Sequence, residues 1–272
     1  IQRSHDIGQS AICLTESNTM RYAYQLQEDC ANFEDGEIRP IFGCEFEIVP
    51  DLTIHGLTED QKEVATAGLV RPIDKNRAIR AEEQRLNVRK TTKLCLRAMN
   101  PEGLQNLYRL SSIAWSDGFY WTARLDIKTI IKHSEGLSVS IGGRDGYVCD
   151  ALLREEFAEA LDQLSELEDA FRDRIWIEIQ PHEDETTKRV NNLLRRISRN
   201  MEIPLIATND VHYVKEDDQD AHTVILCIKM KVALNDRSSP RSPKGYHLRT
   251  GDEMYEAFKR IHPDWPEQVY ID

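Results

Sequence analysis

The sequence predicts an α/β fold whose strands run mostly parallel. Short apolar β-type runs alternate with segments of helical periodicity along most of the chain. Side chains able to ligate a metal collect where those runs end, which is the side on which parallel α/β folds build their sites. A length of 272 residues is ordinary for one α/β barrel and sufficient to bury a sizeable core. About five to seven strand–helix units leave a closed barrel and an open doubly wound sheet both available.

In chain order, the strand-type runs are Ala11–Thr15, Pro40–Val49, Lys93–Ala98, Leu137–Ile141, Arg174–Gln180 and Pro204–Thr208. Helical spacing covers Thr19–Phe33, Pro101–Trp115, Asp150–Phe171, Glu185–Asn200, Asp218–Lys229 and Gly251–Arg260. Asn100-Pro101-Glu102 places an N-cap, a first-turn proline and an acid ahead of an apolar stripe. Across 150–171 the apolar positions Leu152, Leu153, Phe157, Ala160, Leu161, Leu164 and Leu167 recur at helical intervals. Residues 51–92 interrupt the rhythm and read as a charged, variable insertion with its own helix. Seven basic residues between Lys75 and Lys93 are diluted by Asp74, Glu82 and Glu83, so a solvated face is favoured over a nucleic-acid patch. Ser238–Lys244 reads as a loop.

The composition, 40% hydrophobic and 30% charged, is that of a soluble globular chain. A formal net charge of −12 makes the surface as a whole repel phosphates, so nucleic-acid contact needs a local basic patch or a metal ion. Six cysteines form no CxxC pair and mostly sit in apolar runs, as buried reduced thiols of a cytoplasmic protein do. No signal peptide and no apolar run of membrane-spanning length is present in these residues.

The candidate site residues are positional. Glu16, Glu45, Gly142-Gly143, His182 and the group Asn209, Asp210 and His212 all fall at or just after strand-type runs. Asp210 and His212 are two apart, which on continued strand geometry points both to one face. A carboxylate beside an imidazole suits Zn²⁺, Mn²⁺ or Fe²⁺, although Asp-x-His at a strand end also serves to cap a helix or close a turn. His5, His55, His133, His247 and His262 lie in polar surroundings and are expected to face solvent, whereas His222, within a helical pattern, packs or caps. The glycine pair at 142–143 is a weak phosphate-loop signal.

Several segments resemble the PHP (polymerase and histidinol phosphatase) domain of family C DNA polymerase III alpha subunits. Thr208-Asn209-Asp210-Val211-His212-Tyr213 is similar to the family's TNDVHY motif, and Gly43-Cys44-Glu45 to its GCE. Gly118-Phe119-Tyr120, His133-Ser134-Glu135-Gly136-Leu137 and Glu178-Ile179-Gln180-Pro181-His182 resemble its GFY, HSEGL and ELQRH segments. Asp220-Ala221-His222 with Leu226-Cys227-Ile228, and Tyr246-His247-Leu248 ahead of Glu253-Met254, complete a collinear series from Ile7 to Phe258.

The resemblance implies a distorted (β/α)7 barrel forming one PHP domain over 1–272, N-terminally truncated so that its first strand is lacking. It implies metal ligands at Glu45, His182, Asp210 and His212, with Glu16 as a fifth, and a catalytic role for Asp210 and His212. Zn²⁺ or Mn²⁺ would occupy such a site, and Mg²⁺ would serve the parent DNA-directed DNA polymerase. The departures are specific. Nothing matches the family's opening HxH, its TDHGN reads Thr15-Glu16-Ser17-Asn18-Thr19, and its SGC reads Ile141-Gly142-Gly143, so ligands are missing. The expectation is a catalytically degenerate domain in DNA replication that supports the remainder of the polymerase chain, meets DNA through it, and docks a proofreading exonuclease subunit. The alternative is an active metal-dependent phosphoesterase with 3′–5′ exonuclease activity.

Overall fold

The computed structural model describes residues 1–34, 36–53, 56–86, 90–267 and 269; His55 and the end of the chain at Ile271-Asp272 lie outside the described residues. Six strands, β1 (Ala11–Ser17), β2 (Arg39–Ile48), β3 (Thr92–Ala98), β4 (Leu137–Ile141), β5 (Ile175–Ile179) and β6 (Leu205–Ala207), form one curled sheet in sequential order. All six fall within a few residues of the apolar runs of the sequence.

The helices are α1 (Gln2–Asp6), α2 (Ala23–Ala31), α3 (Glu59–Thr66), α4 (Pro72–Arg85), α5 (Pro101–Ser116), α6 (Ile127–Lys132), α7 (Tyr147–Leu153), α8 (Phe157–Phe171), α9 (Glu185–Met201), α10 (Gln219–Met230) and α11 (Gly251–Ile261). Helix α5 starts where Asn100 and Pro101 place it. The Asn100 side chain accepts from the Gly103 amide at 2.9 Å, and the proline occupies a position whose missing N–H would have had no intrahelical partner.

The sheet has two chemically distinct faces. Leu94 and Leu96, Leu137, Val139 and Ile141, and Ile175 and Ile177 point toward the helices and merge with Leu107, Leu110, Leu164 and Leu194 into one buried core. The alternate positions Glu45, Lys93, Cys95, Arg97, Ser138, Ser140, Glu178 and Gln180 point to the other face, as the period of two requires. A helix-covered face and a polar face are what place the site.

Three features differ from the sequence expectation. Pairings β1–β2, β4–β5 and β5–β6 are parallel, but β3 runs antiparallel to both neighbours. The 51–92 segment therefore leaves β2 and enters β3 at the same end of the sheet, where Ile48 pairs with Thr92, and it carries two helices rather than one. The expected helix over 150–171 is broken into α7 and α8 at Glu155, whose φ is +64°, a left-handed conformation that ends an α-helix. The periodicity continues across the break because both helices bury their apolar sides in the same core.

The histidine and cysteine expectations also need correction. His247 and His262 are buried, at 8% and 4% exposure, instead of facing solvent. Local polarity misled: His247 bridges to Tyr213 beside the site, and the His262 ring stacks on Trp265 at 3.9 Å. Cys30, Cys44, Cys149 and Cys227 are buried free thiols, but Cys13 is exposed and Cys95 only half-buried.

Candidate functional site

Glu45 reaches the polar face from the middle of β2. Its sheet partner is Cys95, and the diagonal neighbour on the same face is Lys93, which pairs in register with Glu47. The Lys93 ammonium lies 2.8 Å from Glu45 Oε1, and the Ser17 hydroxyl donates to the same oxygen at 3.3 Å. Burial alone would lower the Lys93 pKa; the charge and hydrogen bond of Glu45, with Asp210 and Asp145 at longer range, outweigh it and hold the ammonium above its ordinary value.

Asp210 and His212 come from the segment that follows β6. Strand geometry has already ended there, since Asp210 has φ +46°. Asn209 fixes the segment by donating to the Gly245 and His247 carbonyls at 2.9 and 2.6 Å, and the His212 amide donates to Tyr246 O at 2.9 Å. His212 Nε2 lies 3.5 Å from Asp210 Oδ2. That hydrogen bond raises the imidazole pKa, against the effect of burial. Burial would raise the Asp210 carboxyl, and the hydrogen bond and charge of His212, with Lys93 and His182, hold it below the usual range.

His182 follows β5 and is buried at 5% exposure with its ring flat on Tyr246, centroids 3.9 Å apart. Burial pushes its pKa down to about 4. Neither ring nitrogen has a hydrogen-bond partner. The stack continues from Tyr246 to His212 at 5.5 Å and from His212 to His222 at 5.4 Å. His222, expected to pack or cap, bonds through Nδ1 to the Ser242 hydroxyl at 2.8 Å.

Glu45, His182, Asp210 and His212 thus line one cavity of about 290 Å³. Glu16 is elsewhere. Strand β1 extends through Ser17, so Glu16 shares the face of Ile12 and Leu14, and its Oε2 accepts from the Tyr22 amide at 2.8 Å ahead of α2. Gly142 closes the cavity wall, where a Cβ would stand 2.3 Å from the Glu178 carbonyl oxygen; close backbone approach explains this glycine without a phosphate.

Sequence reasoning passed over a second carboxylate on the polar face. Glu178 Oε1 accepts from Gln180 at 2.9 Å and Thr208 at 2.7 Å, while Oε2 accepts from Ser140 at 2.6 Å and lies 3.7 Å from Arg97. Arg97 also donates to Ser140 at 3.0 Å. The signal available was the alternation Lys93-Leu94-Cys95-Leu96-Arg97, which puts two basic residues on the ligand-bearing face.

These side chains do not fit a resident metal ion. A metal site needs several donors converging on one point, and no group of three His, Cys, Asp or Glu does so among the described residues. Glu45 is engaged by an ammonium, and Asp210 and His212 are engaged by each other.

A curled mixed sheet with polar side chains gathered at one end is consistent with a TIM-like barrel, and the family model for the PHP domain matches residues 1–182. The chain belongs to the PHP domain family. It is similar to DNA polymerase III subunit alpha of Thermus aquaticus, 35% identical over 210 residues, which are 74% of this chain and 17% of that protein. The Treponema pallidum subunit alpha is 29% identical over 99% of this chain and 20% of its own length; that of Deinococcus radiodurans is 28% identical over 96% and 18%. The chain spans about a fifth of the length of the curated relatives it matches.

Proposed function

We propose that this chain works in DNA replication as the PHP portion of a family C polymerase alpha subunit. On this reading it is a distorted (β/α)7 barrel in the cytoplasm that supports the remainder of the polymerase and docks a separate proofreading exonuclease. Polymerisation, with its Mg²⁺ and its contacts to DNA, belongs to the rest of the parent chain. The observation that carries the scaffold role is the condition of the pocket: of five ligand candidates one is turned toward α2, and the others do not converge as three donors among the described residues. Among those residues no helix is long and apolar enough to cross a membrane. The test is co-elution of the purified protein with its cognate exonuclease in gel filtration. A stable complex is expected, and separate elution at micromolar concentrations of both would refute the docking role.

A second reading, metal-dependent phosphoesterase, is favoured by the two unpartnered nitrogens of buried His182. It requires Mn²⁺- or Zn²⁺-dependent release of nucleotides from a DNA 3′ end, abolished by Asp210→Ala.

A further inference from the structure

The carboxylates around the cavity are each matched by a basic side chain. Glu45 faces Lys93 at 2.8 Å, Glu178 faces Arg97 at 3.7 Å, Asp145 lies 3.8 Å from Arg144, and Asp210 lies 3.5 Å from His212. Lys93 is the central member. It lines the cavity together with Glu45, Asp145 and Asp210, and its backbone amide donates to the Asp145 carbonyl at 2.8 Å.

A pocket arranged to receive a divalent ion carries an excess of negative charge and is strained by mutual repulsion until the ion arrives. Here that excess has been compensated by the chain. An ammonium at hydrogen-bond distance from Glu45 occupies the approach an ion would take to that carboxylate, and it offers donors where a ligand would offer lone pairs.

We propose that Lys93 stands in for a metal ion: its ammonium, 2.8 Å from Glu45 in the cavity that Asp210 also lines, supplies the positive charge the pocket requires, so the pocket assembles without a divalent cation and excludes one. The inference rests on reading the pocket as a scaffold, and it names the residue that makes it one. Arg97 plays the companion role at Glu178. Strand β3, on this account, carries the electrostatic support of the whole polar face.

Mn²⁺ binding counted by calorimetry and by the spin resonance of free Mn²⁺, in the full-length protein and its variants, tests this. The parent and Asp210→Asn are expected to bind the same number of ions. Lys93→Ala and the better-packed Lys93→Gln are each expected to bind one more, and adding Asp210→Asn should remove it. Lys93→Gln should also melt about 2–4 °C lower without metal and recover with Mn²⁺, whereas Lys93→Arg should keep both the stability and the ion count of the parent. A parent that loses an ion on Asp210→Asn, or Lys93 variants that gain none, overturns the proposal. These counts do not depend on the exonuclease, so a failure of docking with the counts as expected would remove the scaffold role and leave the ammonium in place of the metal.

Discussion

His262 makes the fold acid-sensitive, by an amount the structure allows to be worked out. The residue follows α11 and is 4% exposed. Its Nε2 lies 3.1 Å from Asn191 Nδ2, which also donates to the Gln180 carbonyl at 2.8 Å, while Asn191 Oδ1 accepts from the Gln180 amide at 3.3 Å. The asparagine amide is thereby fixed as the donor, so Nε2 must accept and the imidazole must be neutral. Protonation would set two donors against each other in a buried place. Burial, with Lys188 and Arg195 adding repulsion, lowers the pKa to about 4. The folded state therefore binds fewer protons than the unfolded chain between pH 6.5 and 4. Stability is complete above that window and falls as pH drops through it. The loss is roughly 3 kcal/mol in all, since each tenfold difference in proton affinity between the folded and unfolded states is worth about 1.4 kcal/mol. His182 acts with the same sign in the same window. His212, whose pKa is raised, acts oppositely: its contribution is present at low pH and is lost as pH rises through its folded value. Glutamine at 262 keeps an acceptor for Asn191 and does not titrate. Urea unfolding of the parent and His262→Gln at about pH 7 and about pH 4.5 should show the parent losing roughly 2 kcal/mol more than the variant. Equal losses in the two proteins would refute the assignment of the neutral, accepting imidazole.

Three further outcomes follow from packing and pairing. Leu110 is fully buried between α5 and the sheet, so Leu110→Ala should cost roughly 3–5 kcal/mol, read as a lower urea midpoint at unchanged slope. Asn100→Ala removes the side-chain cap of α5 and should cost about 1 kcal/mol, measured the same way. Glu178→Leu leaves Arg97 without its carboxylate on a face where the two side chains are only 21% and 12% exposed. It should cost roughly 3 kcal/mol, and a double variant with Arg97→Met should recover part of the loss in thermal unfolding.

The strands were legible where apolar residues alternate with polar ones, as Leu137, Val139 and Ile141 do with Ser138 and Ser140 in β4, and Leu94 and Leu96 do with Lys93, Cys95 and Arg97 in β3. The α5 start was legible because capping is local chemistry. Strand direction was not legible, since a period of two reads the same both ways, and the reversal of β3 is decided by where the chain returns to the sheet. Glu16 was misplaced by a related margin: two more residues of strand turn it to the helix-covered face, and a shift of one position exchanges faces. The burial of His247 depends on Tyr213 and that of His262 on Asn191, both distant in sequence, and His262 also stacks on Trp265 three residues on. For the candidate site, Glu45, His182, Asp210 and His212 line one cavity and Glu16 does not, but acidic and imidazole side chains drew attention away from the basic ones beside them.

The reversal of β3 and the charge balance of the pocket are one fact seen twice. In a sheet with all strands parallel, the residues at the ligand-bearing end come from strand C-termini, and β3 would present Ala98 and Met99 there. Antiparallel pairing presents its N-terminal end instead, with Lys93 opposite Glu47 and one diagonal step from Glu45. The same reversal joins β2 to β3 at that end, so 51–92 is an excursion that departs from and returns to the rim of the site. Its length is unconstrained by any crossover of the sheet, because the ladder from Gly43–Arg97 to Ile48–Thr92 fixes the register by itself. The distance between Lys93 and Glu45 is therefore set by the ladder and not by the residues that join the two strands.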